Sequence, residues 1–262
     1  MKIDKQSLEL RRFDYNLTPD PEIKLLTIRD HLILSASNFT LLTGAPKVGK
    51  SSFITAILAS YIARKPIFDI QLHHTGPNKR VALFDTEQAN YDLHKAIFRC
   101  MELSQAIHFP DNLDIFALRK DDPATVLKIL EYYINSTPGC EIIILDGLLD
   151  LVFNFNEERE CKMLIDFLKR ITATYNIGIL AVLHTGKTTG TTVGHIGSFA
   201  DRYCQSNLEI FKDRADTTLN LKPKLLRSAA NFTPISLMRD TYGKLFQVEY
   251  YEEEQKAKGN KR

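Results

Sequence analysis

Tryptophan is absent from this 262-residue chain, and cysteine occurs only four times. The missing tryptophan excludes nothing functional. Cys100, Cys140, Cys161 and Cys204 include no C-x-x-C pair, which excludes the usual zinc ribbon and thioredoxin-type redox motif. Long apolar runs are also missing. The run at residues 142–145 ends at Asp146, and no run approaches the roughly 18 residues of a membrane span. The opening Met1-Lys2-Ile3-Asp4-Lys5-Gln6 has no apolar leader core. The expectation is a cytoplasmic protein with reduced thiols and no membrane partner. Finally, the chain lacks an excess of charge of either sign. Lys+Arg 34 against Asp+Glu 32 leaves +2, so bulk charge does not announce a nucleic-acid binder. Any such surface must be a local patch or one built by assembling several copies.

What is present is a globular composition, 44% hydrophobic and 25% charged, which excludes wholesale disorder, a collagen-like fibre and a disulfide mini-protein. Residues 1–37 read as an N-terminal extension, polar up to Pro19-Asp20-Pro21 and then apolar over 25–34. Residues 38–251 read as the main domain and 252–262 as a charged tail. From residue 38 short apolar runs alternate with longer amphipathic ones. Strands are expected at 39–43, 80–85, 113–118, 141–146 and 178–184, and helices at 51–64, 91–103, 123–134 and 157–175. That alternation predicts an α/β fold with a mostly parallel central sheet and helices on both faces. After a short helix near 196–202, the runs 207–211, 217–221, 234–238 and 244–250 lack long helices between them. They predict an antiparallel C-terminal extension.

The sharpest motif is Gly44-Ala45-Pro46-Lys47-Val48-Gly49-Lys50-Ser51, which fits G-x-x-x-x-G-K-[ST] between a strand and a helix. Gly44 and Gly49 allow backbone angles that turn N–H groups towards a polyphosphate, and the helix N-terminus adds positive charge. The nucleotide-binding set is therefore Gly44 to Ser51, with Ser52 next in the helix. Lys50 is expected on the β- and γ-phosphates and Ser51 on Mg²⁺. Glu141-Ile142-Ile143-Ile144-Leu145-Asp146 is an apolar strand ending in a carboxylate, which predicts Asp146 as the second magnesium residue, accepting also from Ser51. No acid follows Asp146 directly. Val81-Ala82-Leu83-Phe84-Asp85-Thr86-Glu87 supplies two, with Glu87 the candidate general base and Asp85 its competitor. No N-K-x-D motif for guanine is present, so ATP is the expected nucleotide.

A P-loop, a strand ending in Glu87, a strand ending in Asp146 and a strand ending in His184 together resemble the RecA-like P-loop ATPases, and within them the RepA-like hexameric helicase group of the AAA_25 type. Phe-Asp-Thr-Glu-Gln at 84–88, Leu-Asp-Gly at 145–147 and Gly-His-Ile-Gly-Ser at 194–198 look like the ATPases of mobile elements in that group. The resemblance covers roughly residues 30–250. It implies Glu87 as the catalytic glutamate and His184 as the γ-phosphate sensor. It makes the loop 185–193 the nucleic-acid contact, with Lys187, Thr188 and Thr189 the candidates. A hydroxyl-rich loop with one cation suits phosphate-backbone contact without base readout. The resemblance also implies a basic pair reaching a neighbouring subunit's ATP, for which Lys224 and Arg227 are the nearest match, although one residue more than usual intervenes. Arg99 is placed towards the adenine, and His195 is a weaker candidate for a direct role.

The function implied is an ATP-hydrolysing DNA helicase or translocase, working as a homo-oligomer, a hexamer, on single-stranded DNA. The length leaves little room for a further domain and so suggests a separate replication or mobilisation partner. Two alternatives stand beside it. One is an ATP-controlled loader or switch. The other is a small-molecule kinase, which would need Arg202, Arg214 and Arg227 to gather as a lid. Competing structural readings are a core histidine for His184, a plain connection for the loop and a basic edge strand for Lys224 and Arg227.

Overall fold

The computed structural model describes residues 4–186, 194–212 and 218–251. The Arg214, Lys187, Thr188 and Thr189 calls and the 252–262 tail lie outside the described residues. The chain runs α1 (Lys5–Glu9), β1 (Lys24–Ile28), β2 (His31–Ser35), β3 (Phe39–Gly44), α2 (Lys50–Ala63), β4 (Ile70–Leu72), β5 (Arg80–Asp85), α3 (Asn90–Ser104) and β6 (Leu113–Ala117). There follow α4 (Pro123–Ser136), β7 (Cys140–Asp146), a 3₁₀ turn at Leu148–Leu151, α5 (Glu158–Tyr175), β8 (Gly178–His184) and α6 (Gly194–Tyr203). Four strands close the order: β9 (Ser206–Lys212), β10 (Leu219–Leu226), β11 (Ile235–Arg239) and β12 (Leu245–Val248). Among the described residues, no helix is long and apolar enough to cross a membrane.

The main sheet has nine strands in the order β12-β11-β10-β9-β3-β8-β7-β5-β6. From β9 through β6 every pairing is parallel; β10, β11 and β12 add antiparallel. The parallel strands are apolar at successive positions because both faces are covered. Leu42, Ile142 and Ile144 face one core with Phe53, Ile57 and Leu58 of α2 and Leu93 of α3. Leu41, Ile143 and Leu145 face the other, with Val126 and Leu130 of α4 and Leu164, Ile165 and Leu168 of α5. Helix starts are fixed locally. Asp122 accepts from Thr125 N–H at 3.0 Å, and Pro123 opens α4 where a missing N–H costs nothing.

Two stretches differ from the sequence-based expectation. Residues 24–35, read with the N-terminal extension, form β1 and β2. With β4 they make a separate three-stranded sheet, order β2-β1-β4, whose Leu25, Leu26, Ile33 and Leu34 are buried in the α2-side core. β4 is too short for its periodicity to register. Residues 4–21 before it are exposed apart from half-buried Ser7. β9 was expected as the first antiparallel strand, but it runs parallel to β3. The connection from β8 to β9 passes through α6, and a crossover of that length returns the chain in the same direction. Buried Gln205, just before β9, ties the two sheets. Its Oε1 accepts from Ser35 N–H at 2.8 Å, and its own N–H donates to Phe39 O at 2.8 Å.

The small sheet therefore belongs to the core. Leu34→Ala should lower unfolding free energy by about 2–5 kcal/mol, read as a shift in urea midpoint at unchanged slope. A loss well below 1 kcal/mol would show that β1 and β2 are peripheral.

Candidate functional site

The parallel strands end together, and their register decides what meets. Gly44 is paired with His184 and Asp85 with Asp146, while β8 lies between the P-loop strand β3 and the Asp146 strand β7. This is the crevice at the carboxyl ends of the strands where α/β sheets hold ligands. The turn from β3 into α2 is the G-x-x-x-x-G-K-[ST] loop. Lys47 and Gly49 take left-handed angles, φ 63 and 107, which curl successive N–H groups into a concave anion cradle. At Gly44 a Cβ would lie 2.7 Å from Ile210 O, so this strand end is closed against β9.

Lys50 is buried. Its Nζ donates to Gly44 O at 3.2 Å, to Ala45 O at 3.1 Å and to His184 Nδ1 at 2.9 Å. Burial lowers its pKa, and the charges of Glu87 and Asp146 oppose that. On the other side of the ring, His184 Nε2 lies 2.5 Å from Glu87 Oε1. A neutral imidazole with its proton on Nε2 satisfies both contacts: Nδ1 accepts from the ammonium and Nε2–H donates to the carboxylate. The bond to His184 holds the Glu87 carboxyl below its usual range, against the effect of burial. Gly147 makes room for this arrangement, since a Cβ there would stand 2.6 Å from Glu87 Oε1.

The two other carboxylates differ in how they are occupied. Asp85 accepts from Glu87 N–H (3.1 Å), Gln88 N–H (2.7 Å) and Gln88 Nε2 (2.5 Å), so its oxygens are taken up in shaping the loop after β5. Burial raises its pKa. Asp146 is buried, and no side-chain or backbone donor among the described residues meets its carboxylate. Burial, then the neighbouring Asp85 and Glu87, push it up to about 8. A buried acid without a donor ionises readily only beside a cation. Ser51 stands exposed at the start of α2, with no hydrogen bond to Asp146, contrary to the expected direct contact. Two hard oxygen donors flanking a phosphate cradle fit Mg²⁺, which keeps most of its waters. Among the described residues no group of three or more His, Cys, Asp or Glu forms a metal site of its own. The remaining ligands would thus be water and phosphate oxygens.

Other expected residues lie elsewhere. Leu219 pairs with Lys212 at the P-loop end of β10, whereas Leu226 pairs with Ser206 at the opposite end. Lys224 and Arg227 are therefore remote from their own chain's P-loop. Lys224 is 3.5 Å from Asp201, and Arg227 donates to Arg202 O. His195 is exposed in the first turn of α6. Arg99, on α3, lines a cleft beside Ser51 and Ser52.

Sequence reasoning missed three contributors. Thr86 donates to Asp150 Oδ2 at 2.7 Å and accepts from Gly147 N–H at 3.1 Å, which locks the Glu87 loop to the Asp146 loop. Its place between the two candidate acids was the only signal. Asp150, whose pKa burial raises, had none. Arg239 of β11 donates to Ser52 Oγ at 2.6 Å across 187 residues of sequence, and nothing local marks it.

The Asp146 shift has a sign that can be tested. Its carboxyl stays protonated in the folded chain over a range where an ordinary one, near 3.8, has ionised. The folded state then binds more protons than the unfolded, and this residue's contribution to stability falls as pH rises from about 4 to about 8. Asp146→Asn should therefore raise the melting temperature of the nucleotide-free protein, and more at pH 8 than at pH 5. An effect independent of pH would contradict the assignment.

Among known families, the model of AAA_25, described as an AAA domain, matches residues 8–190. No curated protein matches the chain. The matched span contains the P-loop, Glu87, Asp146 and His184 and ends before β9. With a phosphate cradle, a buried lysine and the Asp146 carboxylate at the ends of parallel strands, the chain belongs to the AAA_25 family and is a P-loop ATPase of the RecA-like type.

Proposed function

We propose that this ATPase hydrolyses ATP with Mg²⁺ to drive movement on single-stranded DNA, as a helicase or translocase assembled from several copies, in replication or mobilisation of a plasmid or mobile element. The observation that carries the reading is the chain Lys50–His184–Glu87. Its central ring is the last residue of β8, and the next residues lead into the hydroxyl-rich stretch of 185–193 with Lys187. A γ-phosphate reaching Lys50 competes with His184 for the ammonium. The ring is then free to move, and with it the start of the loop and its hold on Glu87. Nucleotide state and the candidate DNA loop thus share one side chain.

In this reading Lys50 and Ser51 take the β- and γ-phosphates with the metal, which supplies positive charge to the transferring group. Glu87 accepts the proton of the attacking water. Asp85 is unsuited to that role because its oxygens already accept from Glu87 and Gln88. Lys224 and Arg227, too distant to act on their own chain's nucleotide, would reach a neighbour's by leaving Asp201 and Arg202 O.

The test is ATP turnover with and without single-stranded DNA, alongside native mass with ATP and Mg²⁺. The expected outcome is DNA-stimulated hydrolysis by a nucleotide-dependent hexamer. Glu87→Gln should cut turnover by about 10²- to 10⁴-fold and retain ATP binding. Arg227→Ala should lose roughly 10³-fold or more in rate, again with binding intact. His184→Ala should retain binding but lose the DNA response. A strict monomer whose rate ignores both DNA and RNA would overturn the motor reading in favour of an ATP-controlled loader or switch.

A further inference from the structure

Arg239 differs from the other well-placed arginines of this chain. Arg80 meets Asp114 at 2.6 Å and Arg29 meets Asp69 at 3.0 Å, each a guanidinium on a carboxylate. Arg239 instead gives Nη2 to the Ser52 hydroxyl at 2.6 Å and Nη1 to Gly243 O at 2.9 Å, both neutral acceptors. Among the described residues no carboxylate forms an ion pair with it. Arg99 is close enough for its charge, together with burial, to lower the Arg239 pKa, and it too has no ion pair among the described residues. Two guanidinium groups lining one cleft, neither ion-paired to a carboxylate among the described residues, repel, and an anion between them removes the repulsion.

The surroundings say which anion fits. Arg239 and Ser52 separate two clefts. One runs along Ser51, Ser52 and Thr55 of α2 to Gln88, before α3, and to Asp92, Lys95 and Arg99 of α3, so one carboxylate stands there among three cations with Arg239. The other borders the P-loop at Lys47 and Gly49, with Leu219 and Met238. Neither is lined by Lys50, His184 or Asp146. An occupant here abuts the phosphate cradle but stands clear of the groups that handle the γ-phosphate. It is the part of a nucleotide that leaves the P-loop on the side of Ser52. β11 and β12 place Arg239 there, since Arg239 pairs with Leu245 and its guanidinium is braced by Gly243 in the turn between them. Both strands lie beyond residue 190, where the family match ends.

We propose that Arg239 and Arg99 form a clamp, in the same chain as the P-loop, for the α-phosphate of the bound nucleoside triphosphate, with the β11–β12 hairpin closing over the start of α2. On binding, the α-phosphate replaces the Ser52 hydroxyl as the acceptor for Arg239. The clamp rests on the chain's being a P-loop ATPase and not on its acting on DNA.

Calorimetric titration of the full chain with ATP, ADP and single-stranded DNA separates the possibilities. Arg239→Ala should weaken ATP and ADP by the same factor, about 10- to 100-fold for one charge-assisted contact, because the α-phosphate is common to both. Arg239→Lys should recover part of the loss, and Arg99→Ala, on an exposed helix face, should shift both nucleotides in the same direction. Turnover at saturating ATP should change far less than KM. Melting of the nucleotide-free variants identifies any that fail to fold, in which case Arg99→Ala alone decides. Unchanged nucleotide affinity in a folded variant overturns the clamp. So does a loss confined to DNA binding, which would assign these cations to nucleic acid, or a loss for ATP but not ADP, which would place them on the γ-phosphate.

Discussion

The buried ammonium of Lys50 is the constraint around which this site is arranged. A buried cation must have its donors met, and here two P-loop carbonyls and one imidazole nitrogen meet them. Because Nδ1 of His184 must accept, its proton goes to Nε2 and is aimed at Glu87. Because Glu87 is drawn to that proton, residue 147 must be without a side chain. Glu87 and Asp146 act on the ammonium, Asp85 and Asp150 stand beside those two acids, and three of the four have raised pKa values. The pocket thus has more acid than its one cation can balance. A polyphosphate entering it adds further negative charge. A divalent cation at Asp146 would relieve this imbalance.

Much of this was legible in the sequence, for stated reasons. Buried parallel strands must be apolar on both faces, so β5 and β8 stood out as continuous runs bounded by acids, glycine or histidine, and their limits matched at Arg80–Asp85 and Gly178–His184. The P-loop was legible because its chemistry is local: consecutive backbone N–H groups and the next two side chains. Contacts between distant strands were not. The Thr86–Asp150 bond spans 64 residues and Arg239–Ser52 spans 187, and no periodicity encodes either. β1 and β2 were misplaced because an apolar stretch after a polar one reads as an appendage until its partner, three-residue β4, is known. The direction of β9 was misjudged because short strands in sequence look like hairpins whatever α6 does between them.

The division of the chain has a chemical counterpart. The parallel part carries the groups proposed for the terminal phosphate: Lys50 at the start of α2, Glu87 just after β5, Asp146 ending β7 and His184 ending β8. The antiparallel part brings a strand, β11, whose last residue reaches α2 from the other side. α2 is thereby held between the sheet it packs on and an arginine on its first turn. Its near-complete burial follows, since the sheet, α3 and the small N-terminal sheet cover its remaining faces. A helix so enclosed cannot shift without moving several neighbours, and a rigid first turn is what a phosphate cradle requires.

Near-neutral net charge conceals a strong separation of charge. The +2 balance is a sum over opposed regions. Acid collects where β5 and β7 end. Lys47, Lys95, Arg99 and Arg239, with Asp92 among them, line the clefts beside the first turn of α2, and β8 separates the P-loop strand β3 from β7 on the acid side. Phosphates bound along that turn would lie across the boundary, drawn by the basic side and repelled by the acidic one. The repulsion falls only at the end that reaches Asp146 and Glu87. A cation held there lowers it, so metal and triphosphate should favour each other's binding, and a nucleotide lacking the terminal phosphate should depend on the metal less. That asymmetry would give the site a means of distinguishing ATP from ADP before any bond is broken. It arises from where the chain has put its charges and not from how many it has.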